Sequence, residues 1–174
     1  IELAVTRWGR LDCLFNNAGA GGVTGGVESI SVEGFDATMA LLVRAVLLGM
    51  KHAAPIMRRQ RSGSIISTAS VAGLRGGWGP HVYSAAKAAV IGMTRGLARD
   101  LGADGIRLNA VTPGWIMTQR QLDLWVTPEA KAVQLGAQCL KELLYPPDIA
   151  RMVLWLAADD SRMVTAQNFV VDGG

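Results

Sequence analysis

Short apolar runs and longer amphipathic segments alternate along the sequence, and this alternation restricts the fold more than any other feature. Four short runs are apolar or β-branched and are bounded by turn residues, which predicts strands at 13–19, 63–70, 106–114 and 168–174. Longer segments with helical spacing lie between them. Parallel strands are joined by crossovers of this length, so the sequence predicts an α/β fold with a parallel sheet.

The segments between the strands carry helix signals at their ends. Ser31 is the predicted N-cap of a helix that extends to Arg59, with acidic residues early and basic residues late. A second helix is predicted over 81–102, and a third over 146–160 opens with two prolines. The first twelve residues have the pattern of the last turns of a helix that ends at Gly9, so we expect the sequence to begin inside a longer fold.

Composition and charge narrow the expected partners and the compartment. The 174 residues suffice for a single domain, 1–174, with a sizeable core. The net charge is +3 and the basic residues are scattered, so we expect no nucleic acid as a partner. Cys13 and Cys139 have neither metal-ligand nor disulfide spacing, which predicts no metal site and a reducing, cytoplasmic location. We find no signal peptide and no apolar run long enough to span a bilayer, so no membrane partner is expected.

The carboxyl ends of the predicted strands are the expected place for a ligand, because open parallel sheets bind their ligands there. Three of the four ends are rich in hydroxyls, amides or glycine, namely 16–19, 67–70 and 112–118. The fourth is the end of the sequence at Gly174. The rule directs attention to these four places.

Tyr83 and Lys87 are four residues apart near the start of the second predicted helix, so their side chains share one face. A free tyrosine has a pKa of about 10 and is a poor base at neutral pH. A nearby ammonium and the positive end of the helix both favour the phenolate. With a serine hydroxyl from the preceding strand end, the pair suits general acid–base chemistry at an alcohol or a carbonyl. The alternative is a surface pair on an ordinary helix.

Five motifs occur in one order along the whole sequence: NNAG, STAS, YSAAK, LNAVTPGWIMT and VDGG. In this the sequence resembles the short-chain dehydrogenase/reductase family. The resemblance implies a doubly wound Rossmann sheet that binds NAD or NADP, and it leaves the choice between the two open. It also implies a small-molecule alcohol or carbonyl substrate, and a homodimer or homotetramer for the complete protein.

The resemblance assigns roles residue by residue. Tyr83 corresponds to the catalytic acid/base, Lys87 to the residue that lowers the pKa of that tyrosine and holds the nicotinamide ribose, and Ser70 to the residue that holds the substrate oxygen. The cofactor-binding positions that it implies, besides Tyr83 and Lys87, are Asn16, Asn17, Gly19, Pro113, Gly114, Ile116 and Thr118. Two alternatives stay open: the asparagines form a turn that only stabilises the strand end, and Thr118 is a plain helix cap.

The segment after the third strand gives a clue to the substrate. The sequences TQRQLDLWVTPEA and QCLKELLYPPDIARMVLWLAADDSRM resemble family members that oxidise aldoses or polyols. The expected substrate-binding residues are Ser70, Trp78, Trp115, Gln119 and Arg120. For the tryptophans, ordinary packing or a subunit contact is the alternative. His81 lies two residues before Tyr83 and is expected to point elsewhere.

Two departures from the family pattern keep a second function open. The sequence contains no G-x-G-x-x-G, and the glycines at 19–26 miss that spacing, so we interpret 19–26 as a flexible surface loop. The resemblance then implies the C-terminal two thirds of a Rossmann-type domain, without its first strands and its glycine-rich cofactor turn. Leu42 stands where the family usually has an asparagine. The chain is therefore either the catalytic portion of an oxidoreductase, expected to be inactive alone, or a cofactor-incompetent module that keeps only the fold.

Overall fold

The computed structural model describes all residues, 1–174, and contains four strands and seven α-helices. The strands are β1 (Cys13–Asn16), β2 (Gly63–Thr68), β3 (Ile106–Pro113) and β4 (Asn168–Val171). The helices are α1 (Glu2–Trp8), α2 (Val32–Met39), α3 (Ala45–Gln60), α4 (His81–Leu101), α5 (Gln119–Leu124), α6 (Pro128–Ala137) and α7 (Pro146–Ala157). All four predicted strands are present, as are the helix end before Gly9 and the three longer predicted helices, whereas α5 and α6 had not been predicted.

The four strands form one parallel sheet in the order β1-β2-β3-β4. Cys13 pairs with Ser64 at the start of the first ladder, and Asn16 pairs with Ser67 at its end. Because every strand runs in the same direction, the carboxyl ends of β1, β2 and β3 lie at one edge of the sheet. The prediction of an α/β fold with a parallel sheet is confirmed.

Helices cover both faces of this sheet. On one face, Ile65 of β2 belongs to a core with Met50 of α3 and Val90 of α4, and all three are almost fully buried. On the opposite face, Ile66 and Val111 pack with Leu156 of α7. Successive residues of a strand point to opposite faces of the sheet. A strand that is covered on both faces therefore needs consecutive apolar residues, such as Ile65 and Ile66 in β2.

A single long helix connects β1 to the rest of the sheet. It begins at the predicted cap, where the Ser31 hydroxyl accepts a hydrogen bond from the Gly34 amide at 3.0 Å. Between α2 and α3, residues Ala40–Arg44 form a π-helical turn. A π turn holds one more residue than an α turn, which shifts the face that the following helix presents.

By length and composition, the continuous helix Val32–Gln60 is long and apolar enough to cross a bilayer. The expectation that no segment is long and apolar enough is wrong on that criterion, because the mean hydropathy of the helix stays high although it contains Arg44 and Lys51. In the structure, Ala53 and Met57 of this helix are fully buried against the core of the sheet.

The glycine-containing segment at 20–26 is held against α2. The Val23 amide donates a hydrogen bond to the Thr38 hydroxyl at 2.9 Å, and Thr38 in turn donates to the Gly34 carbonyl. Thr38 is buried, and a Cβ at Gly22 would lie 2.4 Å from its methyl group. These contacts explain why glycine occupies this position, and they attach the segment to the helix that leads to the π turn.

A buried and a half-buried polar side chain stabilise the edge of the sheet next to β4. Asn109 of β3 donates to the Val164 carbonyl at 2.8 Å and accepts from the Gln167 amide at 3.1 Å. Arg107 donates to the Leu156 carbonyl at 2.8 Å, at the end of α7. Because buried backbone groups without partners are costly, these bonds stabilise the connection between α7 and β4.

Candidate active site

The three predicted catalytic residues come from two neighbouring elements. Ser70 follows β2 by two residues and caps a 3₁₀ turn, Val71–Gly73, where its hydroxyl accepts a hydrogen bond from the Ala72 amide at 3.2 Å. Tyr83 and Lys87 lie in the first two turns of α4. The structure therefore brings a hydroxyl at a strand end to the face of the helix that carries the phenol and the ammonium.

Gly73 permits this approach. A Cβ at Gly73 would lie 2.8 Å from the Ala88 nitrogen and 2.8 Å from the Lys87 carbonyl carbon, both of which are backbone atoms of α4. No side chain fits at that distance without movement of the turn or the helix. Glycine thus allows the turn capped by Ser70 to rest directly on the backbone of α4.

Lys87 is a buried cation with one strong hydrogen bond. Its side chain is 5% exposed, and Nζ donates to the Thr68 carbonyl at 2.6 Å. Nζ also lies 5.7 Å from the centroid of the Tyr83 ring. Burial lowers the pKa of Lys87 to about 8, since removal from water disfavours the charged form.

Tyr83 differs from the expectation. Burial raises the pKa of its phenol, and the interaction with Ser70 acts in the opposite direction without reversing the shift. The expected lowering of this pKa by Lys87 is not found: Nζ lies over the ring, and burial of the phenol is the larger effect. In the absence of ligands, Tyr83 is therefore protonated at neutral pH and can donate a proton.

The two asparagines after β1 connect the ends of β1 and β2. The Asn16 amide donates to the Ser67 hydroxyl at 3.3 Å, and the Thr68 hydroxyl donates to the Asn17 side-chain oxygen at 2.9 Å. These bonds match the interpretation of a turn that stabilises the strand end. They also fix Thr68, whose carbonyl is the partner of Lys87.

Gly19 lies between Lys87 and the long helix. A Cβ at this position would be 3.0 Å from Leu42 Cδ2 and 3.9 Å from Lys87 Nζ. Because glycine has no side chain, Leu42 and the ammonium of Lys87 can both lie close to this backbone.

The loop after β3 is held by β4 and by the segment before α7. The Gly114 amide donates to the Val171 carbonyl at 2.9 Å, and a Cβ at Gly114 would lie 2.8 Å from Asp172 Cβ. Glycine at 114 is therefore required by close packing, whatever ligand the loop binds. Pro113, the last residue of β3, precedes it.

The next residues of this loop have defined partners as well. Ile116 forms an isolated parallel bridge with Leu144, and the Met117 amide donates to the Leu144 carbonyl at 2.8 Å. Thr118 caps α5 by accepting from the Gln121 amide at 3.3 Å. Thr118 therefore acts as a helix cap, and its contact with the cofactor stays a prediction.

The predicted substrate-binding residues do not all meet. Trp78 lines a cavity of about 40 Å³ that also touches Val71 and Gly114. Trp115 donates to the Gln121 side chain at 2.8 Å, Gln119 pairs with Asp123, and Arg120 is exposed. None of these three residues lines that cavity, and His81 is exposed at the first position of α4.

Several residues that line this cavity had not been predicted. The cavity is also lined by Arg75, Gln134 and Asp172, and Arg75 lies over the Trp78 ring at 5.9 Å. Gln134 belongs to α6, which the sequence did not indicate, so no pattern pointed to it. Gly73 could have been noticed as a glycine three residues after Ser70, close to a helix.

Comparisons with known proteins find a matching family model and many related chains. A family model described as enoyl-(acyl carrier protein) reductase matches residues 1–174. A probable galactose dehydrogenase of Rhizobium meliloti (strain 1021) is 40% identical over 98% of this chain. Xanthoxin dehydrogenase of Arabidopsis thaliana is 38% identical over 100% of the chain. The chain spans 66% and 65% of the lengths of these two relatives.

A solved structure shares the fold as well. The crystal structure of levodione reductase superimposes with a TM-score of 0.91 at 37% sequence identity, over 99% of this chain and 69% of that one. The similarity extends through every strand and helix described above, because almost the whole chain is covered. The expectation of a Rossmann-like sheet is thereby confirmed.

Proposed function

Because the chain belongs to the short-chain dehydrogenase/reductase family, we propose that the protein is an NAD(P)-dependent oxidoreductase that interconverts an alcohol and a carbonyl by hydride transfer. The observation that carries the proposal is the convergence of Ser70, Tyr83 and Lys87 at the carboxyl end of β2. A module that kept only the fold would have no need of a buried lysine beside a half-buried phenol.

The residues around Gly19 fit a nicotinamide cofactor. Lys87 has three N–H donors and gives one to Thr68, so two remain for ribose hydroxyls. Gly19 lies beside this ammonium and is itself exposed. We propose that Asn16, Asn17 and Gly19 line one side of the cofactor site. The opposite side is then formed by Pro113, Gly114, Ile116 and Thr118. NAD and NADP are both compatible with these residues. When bound, the cofactor supplies or accepts the hydride.

In this proposal the proton moves at the Tyr83 hydroxyl. During carbonyl reduction, the phenol donates its proton to the substrate oxygen, and during alcohol oxidation the phenolate accepts it. The Ser70 hydroxyl holds the same oxygen by a hydrogen bond. The Lys87 ammonium stabilises negative charge on the phenolate as it forms, and this stabilisation grows when a ligand excludes water. The protonated state of the free tyrosine suits the reductive direction.

We further propose a sugar or polyol as the substrate class. The 40% identity to a probable galactose dehydrogenase supports it, as do the polar groups of Arg75, Gln134 and Asp172 near Gly114. A site that hydrogen-bonds several hydroxyls rejects analogues that lack them by large factors. Trp78 supplies an apolar surface that is 45% exposed.

One panel tests both the reaction and its substrate class. The complete protein is assayed with NAD and with NADP against aldoses, polyols, steroids and simple alcohols, by the absorbance of the reduced nicotinamide. We expect turnover of at least one aldose or polyol with a kcat/KM about tenfold or more above that of every steroid. A steroid far above all sugars would overturn the substrate class alone. No turnover of any member would favour the cofactor-incompetent module.

We also propose that the complete protein is a homodimer or homotetramer. Leu47 and Leu48 of α3 are 44% and 43% exposed, although the opposite side of that helix is buried. Contact with a second copy would remove these side chains from water. Light scattering coupled to size-exclusion chromatography should give two or four times the chain mass, and a monomer at micromolar concentration would contradict the proposal.

A further inference from the structure

Leu42 is the most buried residue of the π turn and lies next to the candidate active site. It is 1% exposed, whereas its neighbour Leu41 is 41% exposed. Leu42 Cδ2 and Lys87 Nζ lie 3.0 and 3.9 Å from the point that a Cβ at Gly19 would occupy. The side chain of Leu42 and the ammonium of Lys87 therefore line the same small gap.

The groups that face Lys87 are few. The Thr68 carbonyl accepts one hydrogen bond, and the Tyr83 ring lies beside Nζ. The charged residues of α2 and of the π turn, Glu33, Asp36 and Arg44, are exposed, and so is Arg75 after the 3₁₀ turn. Burial lowers the pKa of Lys87, and no charged partner contributes to this shift.

We propose that Leu42 is a positioning residue for Lys87: its apolar side chain keeps water out of the gap beside Gly19, so that the Thr68 carbonyl is the polar group that holds the ammonium. The Leu42 side chain has neither a hydrogen-bond donor nor an acceptor, so it offers the ammonium of Lys87 no polar partner. The ammonium is consequently directed toward Thr68 and Tyr83.

This arrangement has a consequence for the charge of Lys87. Its folded pKa of about 8 lies below the unfolded value of 10.5, so the ammonium is fully charged well below pH 8 and loses its proton as the pH rises through 8. An amide or a water molecule in place of the Leu42 side chain would solvate the ammonium and raise that pKa. Where the proposed function holds, the alkaline pH at which reductive activity is lost would rise together with the pKa of Lys87.

The test is the titration of Lys87 in the purified, ligand-free protein, followed by NMR of lysines labelled with ¹³C at Cε. The chain has four lysines, so the signal of Lys87 is assigned from a Lys87→Arg variant. We expect Leu42→Asn to raise the pKa of Lys87 by about 1 or more, because the new amide hydrates the gap. The matched control is Leu41→Asn, the same change at an exposed position of the same turn, which should leave the titration unchanged.

Two further variants cover a failure of Leu42→Asn to fold. Leu42→Ala opens the gap to water and should also raise the pKa, while Leu42→Met keeps the gap apolar and should not. A pKa of Lys87 that is the same in Leu42→Ala and Leu42→Met would overturn the proposal. So would an equal shift from the Leu41→Asn control. The titration needs no substrate, so it tests the role of Leu42 independently of the oxidoreductase assay. Either proposal can therefore be contradicted while the other stands.

Discussion

Replacing Tyr83 with phenylalanine in the active protein should lower kcat/KM about 10²-fold or more, since the change removes the hydroxyl that exchanges a proton with the substrate oxygen. The aromatic ring, its packing and its contact with Lys87 stay in place. Steady-state kinetics with the best substrate from the panel measures the effect. The chain has two tyrosines, and Tyr145, which is 48% exposed, provides the control. Tyr145→Phe should leave kcat/KM within about twofold, as a change at an exposed position.

The tyrosine assignment has a clear contrary result. A Tyr83→Phe protein that is folded and retains kcat/KM within a few-fold of the parent would remove Tyr83 from the reaction. Circular dichroism of both phenylalanine variants shows whether they are folded. If Tyr83→Phe and Tyr145→Phe lose activity equally, the loss is structural and gives no support to the chemical role.

Replacing Gly73 with alanine should lower kcat/KM about 10²-fold, because an added Cβ would displace the turn capped by Ser70 from α4, and a misplacement of about 1 Å has effects of that size. The contacts that force the displacement are backbone atoms at 2.8 Å, which cannot rotate away as a side chain can. Gly76→Ala is the matched control, since a Cβ at Gly76 meets nothing within 4 Å.

The kinetic pattern separates displacement of the turn from general damage. We expect Gly73→Ala to reduce kcat more than it raises KM, because the Ser70 hydroxyl is placed to hold the reacting oxygen. Gly76→Ala should match the parent in both constants and in its urea midpoint. Full activity of Gly73→Ala would mean that the turn and the helix can separate without cost, and that their close contact does not position Ser70.

The sequence predicted those parts of the fold that local patterns determine. The Ser31 cap follows from the hydrogen-bonding of one side chain to a nearby amide, and the shared face of Tyr83 and Lys87 follows from helical spacing. The parallel sheet follows from strands that alternate with helices of sufficient length. The cap and the shared face depend on residues within one or two helical turns, and the sheet depends on the order and length of successive segments, so a single sequence contains the necessary information.

The features that the sequence did not predict depend on contacts between distant segments. The direction of the pKa shift of Tyr83 depends on how deeply α4 is buried, and the contact of Gly73 with α4 depends on the path of the turn after β2. The attachment of Val23 to Thr38 needs a loop to return to its own following helix. Helix α6 contributes Gln134 to the cavity although its apolar pattern is weak, since it has no buried residue.

The order of the strands has a consequence for how the chain assembles. Each strand pairs with the one that precedes it in the sequence, so no strand has to be inserted between two that already exist. A ribosome releases the chain from its N-terminal end, and β2 therefore has both of its neighbours before α7 has been synthesised. Ser70, Tyr83 and Lys87 all lie in the chain segment between β2 and β3, and these two strands pair with each other. The residues proposed for proton transfer can thus be brought together cotranslationally, while the far edge of the sheet is still inside the ribosome.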